Sequence, residues 1–227
     1  MSIRVKYEKD LKEVFNKLID MCRNIEEMLD GSVTALVNLD KKLAEKVIEH
    51  DEIIDNFERT IEQDCLKMLL MEHPVARDFR DVSAALKMIT DLERIGDQCR
   101  DIAELTLQIK ENFHVRKLIH IPKMGEIVTE MVKAGVQSYI NRDLELARSL
   151  DKTDDKVDAL FENVKSDLIA AIKKDSSEAD RAIILMMIAK YLERIGDHAV
   201  NIGEWVEYAI TGEYTFHPEG RFARRDK

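Results

Sequence analysis

Apolar residues recur every three or four positions through most of the chain, and no comparable run alternates as a half-buried strand would. Leu11, Val14, Phe15, Leu18, Cys22, Ile25 and Leu29 form one such stripe. Ile54, Phe57, Ile61, Met68 and Leu69 form a second, and Val82, Leu86, Ile89, Leu92, Gly96, Cys99, Ala103 and Thr106 a third. A stripe of this period buries one face of a helix and leaves the other to water. The pattern therefore predicts three long amphipathic helices in the first half of the chain. Pro74 marks the start of the third, because proline is tolerated in a first turn and nowhere deeper. Asn38-Leu39-Asp40 breaks the first from the second, with Asp40 expected to cap a short helix leading into the second long one.

The second half repeats the first. NLDKKLA (38–44) falls on NRDLELA (141–147), and with the same offset Asp51 and Asp55 fall on Asp154 and Asp158. LERIGD then occurs twice, at 92–97 and 192–197. The offset has shrunk by three residues between these motifs. Those extra residues are expected in a loop near MEHPVARD (71–78), opposite KKDSSEAD (173–180), where length is tolerated. Asp143 is the twin of Asp40 as a cap, and the DSSE cluster at 175–178 reads as the start of the last helix. Pro122 marks the start of the second half's first helix. The prediction is an all-α fold of two tandem, homologous three-helix bundles, six long helices with short extra helices, related by a pseudo-twofold internal repeat. The bundles span 1–112 and 123–215, with a connector at 113–122 and a basic tail at 216–227.

Composition narrows the function. A 45% apolar content excludes a disordered chain despite 35% charged residues. The net charge of −10 disfavours binding to nucleic acid and suits cations. Cys22, Cys65 and Cys99 form no CxxC pair, which fits a reduced, cytoplasmic setting and three core thiols. MSIRVKYEKDLKEV lacks the apolar core of a signal peptide, and no apolar run is long enough to span a bilayer. Membrane association is then expected only through partners.

Acidic positions carry the candidate chemistry. On a helix, Glu93, Asp97, Asp101 and Glu104 lie at about 0°, 40°, 80° and 20°, one stripe flanking the core. Asp51 and Asp55 stand one turn apart on the preceding helix. Stacked like charges repel by roughly 0.2–0.5 kcal/mol per pair, and a multivalent cation reverses that sign. An all-carboxylate set suits Mg, Mn, Fe or Ca, and Zn less well. The repeat keeps Asp51/Asp154, Asp55/Asp158, Glu93/Glu193, Asp97/Asp197 and Glu104/Glu204, while Asp101 becomes Asn201. Glu58 aligns with Phe161 and Glu62 with Lys165, so both are set aside. Gly96 and Gly196, costly inside a helix, point to close approach of a neighbouring helix, which would also let a facing carboxylate pair reach the same ion.

No catalytic set accompanies these acids. Phosphate-binding glycine loops and H-E-x-x-H are absent, and the single E-x-x-H, Glu111 to His114, has no partner in the repeat. His198 aligns with Gln98 and reads as a surface or interhelical histidine.

N-x-D-x-x-L-A, D-x-x-x-D and L-E-R-I-G-D in each half, with HPVARDFRDV (73–82) before the third helix, resemble the PhoU family of phosphate regulatory proteins over about 1–215. The resemblance implies a cytoplasmic, all-helical homodimer that binds metal and represses the phosphate regulon. In that family the protein connects the phosphate ABC transporter to a membrane sensor histidine kinase. It implies one metal site at Asp51, Asp55, Glu93 and Asp97, and a second at Asp154, Asp158, Glu193 and Asp197. Asp101, Glu104, Asn201 and Glu204 would be additional ligands, with Asn201 making the second site less negative. The metal would be Fe, Mn, Mg or Zn, and no residue would be catalytic. Two other readings stay open on the residues alone: a metal-dependent hydrolase or oxidase, and a helical scaffold that binds no metal.

Overall fold

The computed structural model describes residues 3–72, 74, 76–109 and 119–213. Among the described residues there are six long helices: α1 (Ile3–Asn38), α2 (Lys41–Glu72), α3 (Arg77–Gln108), α4 (His120–Asn141), α5 (Leu144–Lys174) and α6 (Ala179–Thr211). A 3-10 turn, Ser176–Glu178, precedes α6. The predicted tail at 216–227, Glu111 and His114 lie outside the described residues, as does most of the connector. Its last three positions, 120–122, belong to α4, with Pro122 inside the first turn.

The N-x-D-x-x-L-A motif is a helix stop joined to a helix start. Leu39 and Arg142 take left-handed backbone angles, φ 52° and 54°. The Asp40 and Asp143 amides then reach back to the Ala35 and Ser138 carbonyls at 2.9 and 2.8 Å, the Schellman arrangement that closes a helix. The same two aspartates cap the next helix: Oδ1 accepts from the Leu43 amide at 3.1 Å and from the Leu146 amide at 2.9 Å. Ala44 and Ala147 are buried, the Ala147 backbone against Gly203 of α6. The short helix expected after Asp40 does not form. The cap opens α2 directly, because no breaker interrupts the sequence after Lys41.

The three extra residues of the first copy are not in a loop. The helices are separated by four positions in each half, 73–76 and 175–178. Instead α2 has 32 residues against 31 in α5, and α3 begins 16 residues before Glu93 where α6 begins 14 before Glu193. The insertion lengthens helix ends, where each added residue makes its own backbone bond. Asp175 does start the last element, but by capping the 3-10 turn through the Ser177 amide.

In each half the three helices pack against one another, α1, α2 and α3 in the first and α4, α5 and α6 in the second. Between halves α3 packs on α6 and α1 on α4. Along the α3–α6 seam Lys87 lies over the Trp205 ring at 5.8 Å. Further along, Asp91 accepts from Asn201 at 3.1 Å, and Tyr191 and the Asp101 carboxylate act on each other. The paired numbers run in opposite senses, so the two helices are antiparallel. Asp91–Asn201 and Tyr191–Asp101 are the same pair of repeat positions viewed from either half, so the pseudo-twofold axis passes between the two LERIGD segments. The buried residues of both bundles join in one apolar cluster.

That seam also fixes the ends. Tyr139 on α4 donates its hydroxyl to the Asp81 carbonyl of α3. Arg142 donates to Asp81 Oδ1 at 2.6 Å and to the Ala209 carbonyl at 3.2 Å. One guanidinium thus ties the α4–α5 turn to α3 and α6.

Candidate metal centre

The eight predicted ligands fall at two helix pairs. Asp51 and Asp55 of α2 face Glu93 and Asp97 of α3, and Asp154 and Asp158 of α5 accompany Glu193 and Asp197 of α6. The four acids of the first half act on one another. Asp51 is 7% exposed. Burial pushes its carboxyl up from the usual range, the nearby Asp97 and Asp55 charges add to that, and Arg100 opposes it. Glu93 is raised by burial and by Asp97, with Glu58 and Asp55 contributing. Glu58 is itself raised by burial, Glu62 and Asp55. Glu58 therefore belongs to the cluster, although its twin Phe161 argued against it in the sequence.

Arginines, not a shared vacant centre, fill the first half. Arg100 donates from Nη1 to Asp51 Oδ2. Its Nη2 lies 2.9 Å from Asp97 Oδ1 and 3.8 Å from Asp101 Oδ1, and its Nε 3.8 Å from Glu104 Oε1. Arg94 takes the other oxygen of Asp97 through Nη1 at 3.1 Å and reaches Glu93 from Nε at 3.4 Å. Burial works against the charge on Arg100, yet Asp51, Asp97 and Asp101 more than reverse this, so its pKa lies above the ordinary guanidinium value.

Different groups surround the second set. Val200, buried, stands at the position of Arg100. Glu193 is fully buried and pairs with Lys190 one turn earlier on α6. Lys190 also lies over the Phe161 ring at 5.6 Å, which stands where the first half has Glu58. Asp154 rests against α6 at Gly196, its Oδ1 2.6 Å from the point a Cβ would occupy there. At Gly96 the neighbour is the Ile54 side chain, with Cγ2 at 3.1 Å. The two glycines thus serve different contacts: apolar packing in the first half and carboxylate approach in the second.

Among the described residues no three His, Cys, Asp or Glu side chains converge as a metal-binding group. In the first half the donors do not fit an ion, since both Asp97 oxygens and Asp51 Oδ2 already meet guanidinium groups. In the second half Glu193 is likewise met by a cation, Lys190, and Asp154, Asp158 and Asp197 supply carboxylate oxygens of the chemistry a hard cation takes. Gly196 leaves room for Asp154 beside α6. Asp101 borders the first acid cluster through Arg100 and also faces Tyr191 across the α3–α6 seam, whereas Asn201 stands on the seam with Asp91. Glu104 faces Arg100, and Glu204 lines a surface cleft with Arg148, Asp151 and Glu207. His198 is interhelical, Nδ1 2.8 Å from Asp91. Arg100 was legible in the sequence as a basic residue that replaces an apolar twin three positions past the motif; Lys190, two residues before LERIGD, carried no comparable signal.

The PhoU domain matches residues 18–106 and matches again at 121–206. The chain belongs to the PhoU family. It is 34% identical over 208 residues to a Clostridium acetobutylicum protein named phosphate-specific transport system accessory protein PhoU homolog, covering 91% of this chain and 95% of that one. An Aquifex aeolicus protein of the same name is 35% identical over 94% of this chain and 96% of its own length. The fold superimposes on the crystal structure of PhoU from Pseudomonas aeruginosa with a TM-score of 0.83 at 30% identity, over 91% of this chain and 100% of that one. Against the phosphate transport system regulatory protein PhoU of Streptococcus pneumoniae the TM-score is 0.85 at 26% identity, covering 92% and 99%. The PhoU family is one of regulatory accessory proteins, not of enzymes, which removes the hydrolase and oxidase readings. Among the described residues no helix is long and apolar enough to cross a membrane.

Proposed function

We propose that this chain regulates phosphate transport, acting as an accessory protein of a phosphate-specific transport system. The observation that carries the reading is the PhoU domain found in both halves, together with near full-length relatives named for that role. In the finer form, a homodimer in the cytoplasm connects the ATPase of a phosphate ABC transporter to a membrane sensor histidine kinase and holds the phosphate regulon repressed. The acidic surface supports protein partners over nucleic acid. A divalent or trivalent ion (Mg, Mn, Fe or Zn) belongs to this reading at Asp154, Asp158, Glu193 and Asp197. When bound, it would bridge carboxylates of α5 and α6.

Deletion in the host tests the regulatory role. With phosphate plentiful, loss of the chain is expected to raise phosphate-responsive transcription, and unchanged transcription and uptake would sink the assignment. Replacing Glu93, Asp97, Glu193 and Asp197 together by Ala tests the metal. A folded, metal-free variant that still represses fully separates regulation from ion binding.

A further inference from the structure

We infer that the Asp51–Asp97 seat of the first half is closed by the chain's own Arg100, whose guanidinium takes the place of a cation between α2 and α3. The two halves descend from one pattern, yet Arg100 replaces the apolar position that its twin keeps as Val200. Its two terminal nitrogens meet one carboxylate from each helix, Asp51 and Asp97, as an ion bridging the pair would. Arg94 holds the remaining oxygen of Asp97. A metal ligand must offer a lone pair to the ion, and an oxygen held by a guanidinium offers it to an N–H instead. A guanidinium keeps its charge at every physiological pH, so the seat is neutralised permanently rather than by the supply of metal. In consequence the repeat is functionally uneven: the first half has a fixed helix clamp, and any response to ion availability belongs to the second. The contrast rests on the cation reading of the second half; the closure of the first does not.

The test counts bound Mn2+ by electron paramagnetic resonance of the free ion. It uses the full chain as wild type, Asp97→Asn, Asp197→Asn, Arg100→Val, and Arg100→Val with Asp97→Asn. Wild-type binding should survive Asp97→Asn and be lost with Asp197→Asn. Arg100→Val should add a site that the further Asp97→Asn change removes. The new site should be tighter than the wild-type first half by about ten-thousandfold or more, the effect on a divalent ion of removing one unit charge about 5–6 Å away at an effective dielectric near 20. Arg100→Gln, which keeps a polar side chain of similar reach without the charge, serves if the valine variant loses its helical circular dichroism. Loss of wild-type Mn2+ on Asp97→Asn overturns the inference, and so does the absence of any gain in both folded Arg100 variants. If the wild type binds no Mn2+ while Arg100→Val does, the closure stands and the second-half site falls.

Discussion

Asp154 occupies the space that a side chain at Gly196 would need, with Oδ1 2.6 Å from the position of the missing Cβ. The far end of a short side chain can swing away; a backbone cannot. Gly203 presents the second case, because its Cβ would stand 2.8 Å from the Ala147 carbonyl oxygen. Gly196→Ala should therefore change stability by less than about 1 kcal/mol, the gain in helix propensity offsetting the displaced carboxylate. Gly203→Ala should cost about 1–3 kcal/mol through overpacking. Urea denaturation of both variants checks the order, and equal losses would mean that Asp154 is fixed in place.

Arg142 joins two constraints that a pair of substitutions separates. Its guanidinium meets the buried Asp81 carboxylate, and its backbone sits in the left-handed region. Arg142→Ala should destabilise the chain by roughly 2–4 kcal/mol, since a buried charge loses its main partner. Arg142→Gly should recover about 1 kcal/mol of that, because glycine adopts the same backbone angle without a Cβ clash. Melting curves in which the glycine variant is the weaker of the two would contradict this account of the turn.

Each Schellman turn hands over to an aspartate cap, so Asp40→Ala and Asp143→Ala should each cost about 1 kcal/mol. The losses should add in the double variant, the two caps lying in different halves. A chemical denaturation series measures both.

Raised carboxyl pKa values give a pH dependence with a definite sign. Asp51, Glu58, Glu93 and Asp101 all lie above their usual values, chiefly from burial. Between the unfolded carboxyl range near about pH 4 and the raised folded values, the native state binds more protons than the unfolded one. These groups therefore destabilise the chain fully at neutral pH, and that loss is recovered as pH falls through their folded pKa values. Thermal stability in chelator should rise from pH 7 toward about pH 5. A midpoint that falls steadily over that window would show that pairing with Arg94 and Arg100 outweighs burial at these acids.

Three thiols test the core. Cys22 and Cys65 are buried and their pKa values pushed up to about 12, chiefly by loss of solvation. Cys99, in the middle of α3, is fully buried and raised further. None should react with an aromatic disulfide reagent at pH 8 until denaturant is added, and prompt labelling of one would expose an opening of its helix pair.

The sequence by itself determined the six helices, the twofold repeat and the pairing of D-x-x-x-D with LERIGD. Periodicity and duplication are local and comparative signals, and both survive without coordinates. It also determined Asp40 and Asp143 as caps, since an aspartate ahead of an amphipathic run has few other uses. Only the tertiary structure decided what the acids do. Whether Asp97 faces an ion or a guanidinium depends on where Arg100, one turn along α3, directs its long side chain relative to α2. The α3–α6 packing decided that Asp101 and Asn201 serve the seam between halves, because a helix stripe about 80° wide spans two neighbours at once. Twin glycines likewise looked equivalent until their neighbours were known: Ile54 for one, Asp154 for the other. Helix propensity and period follow from covalent geometry one residue at a time, whereas a charge takes its role from whichever opposite charge the packed helices bring within reach.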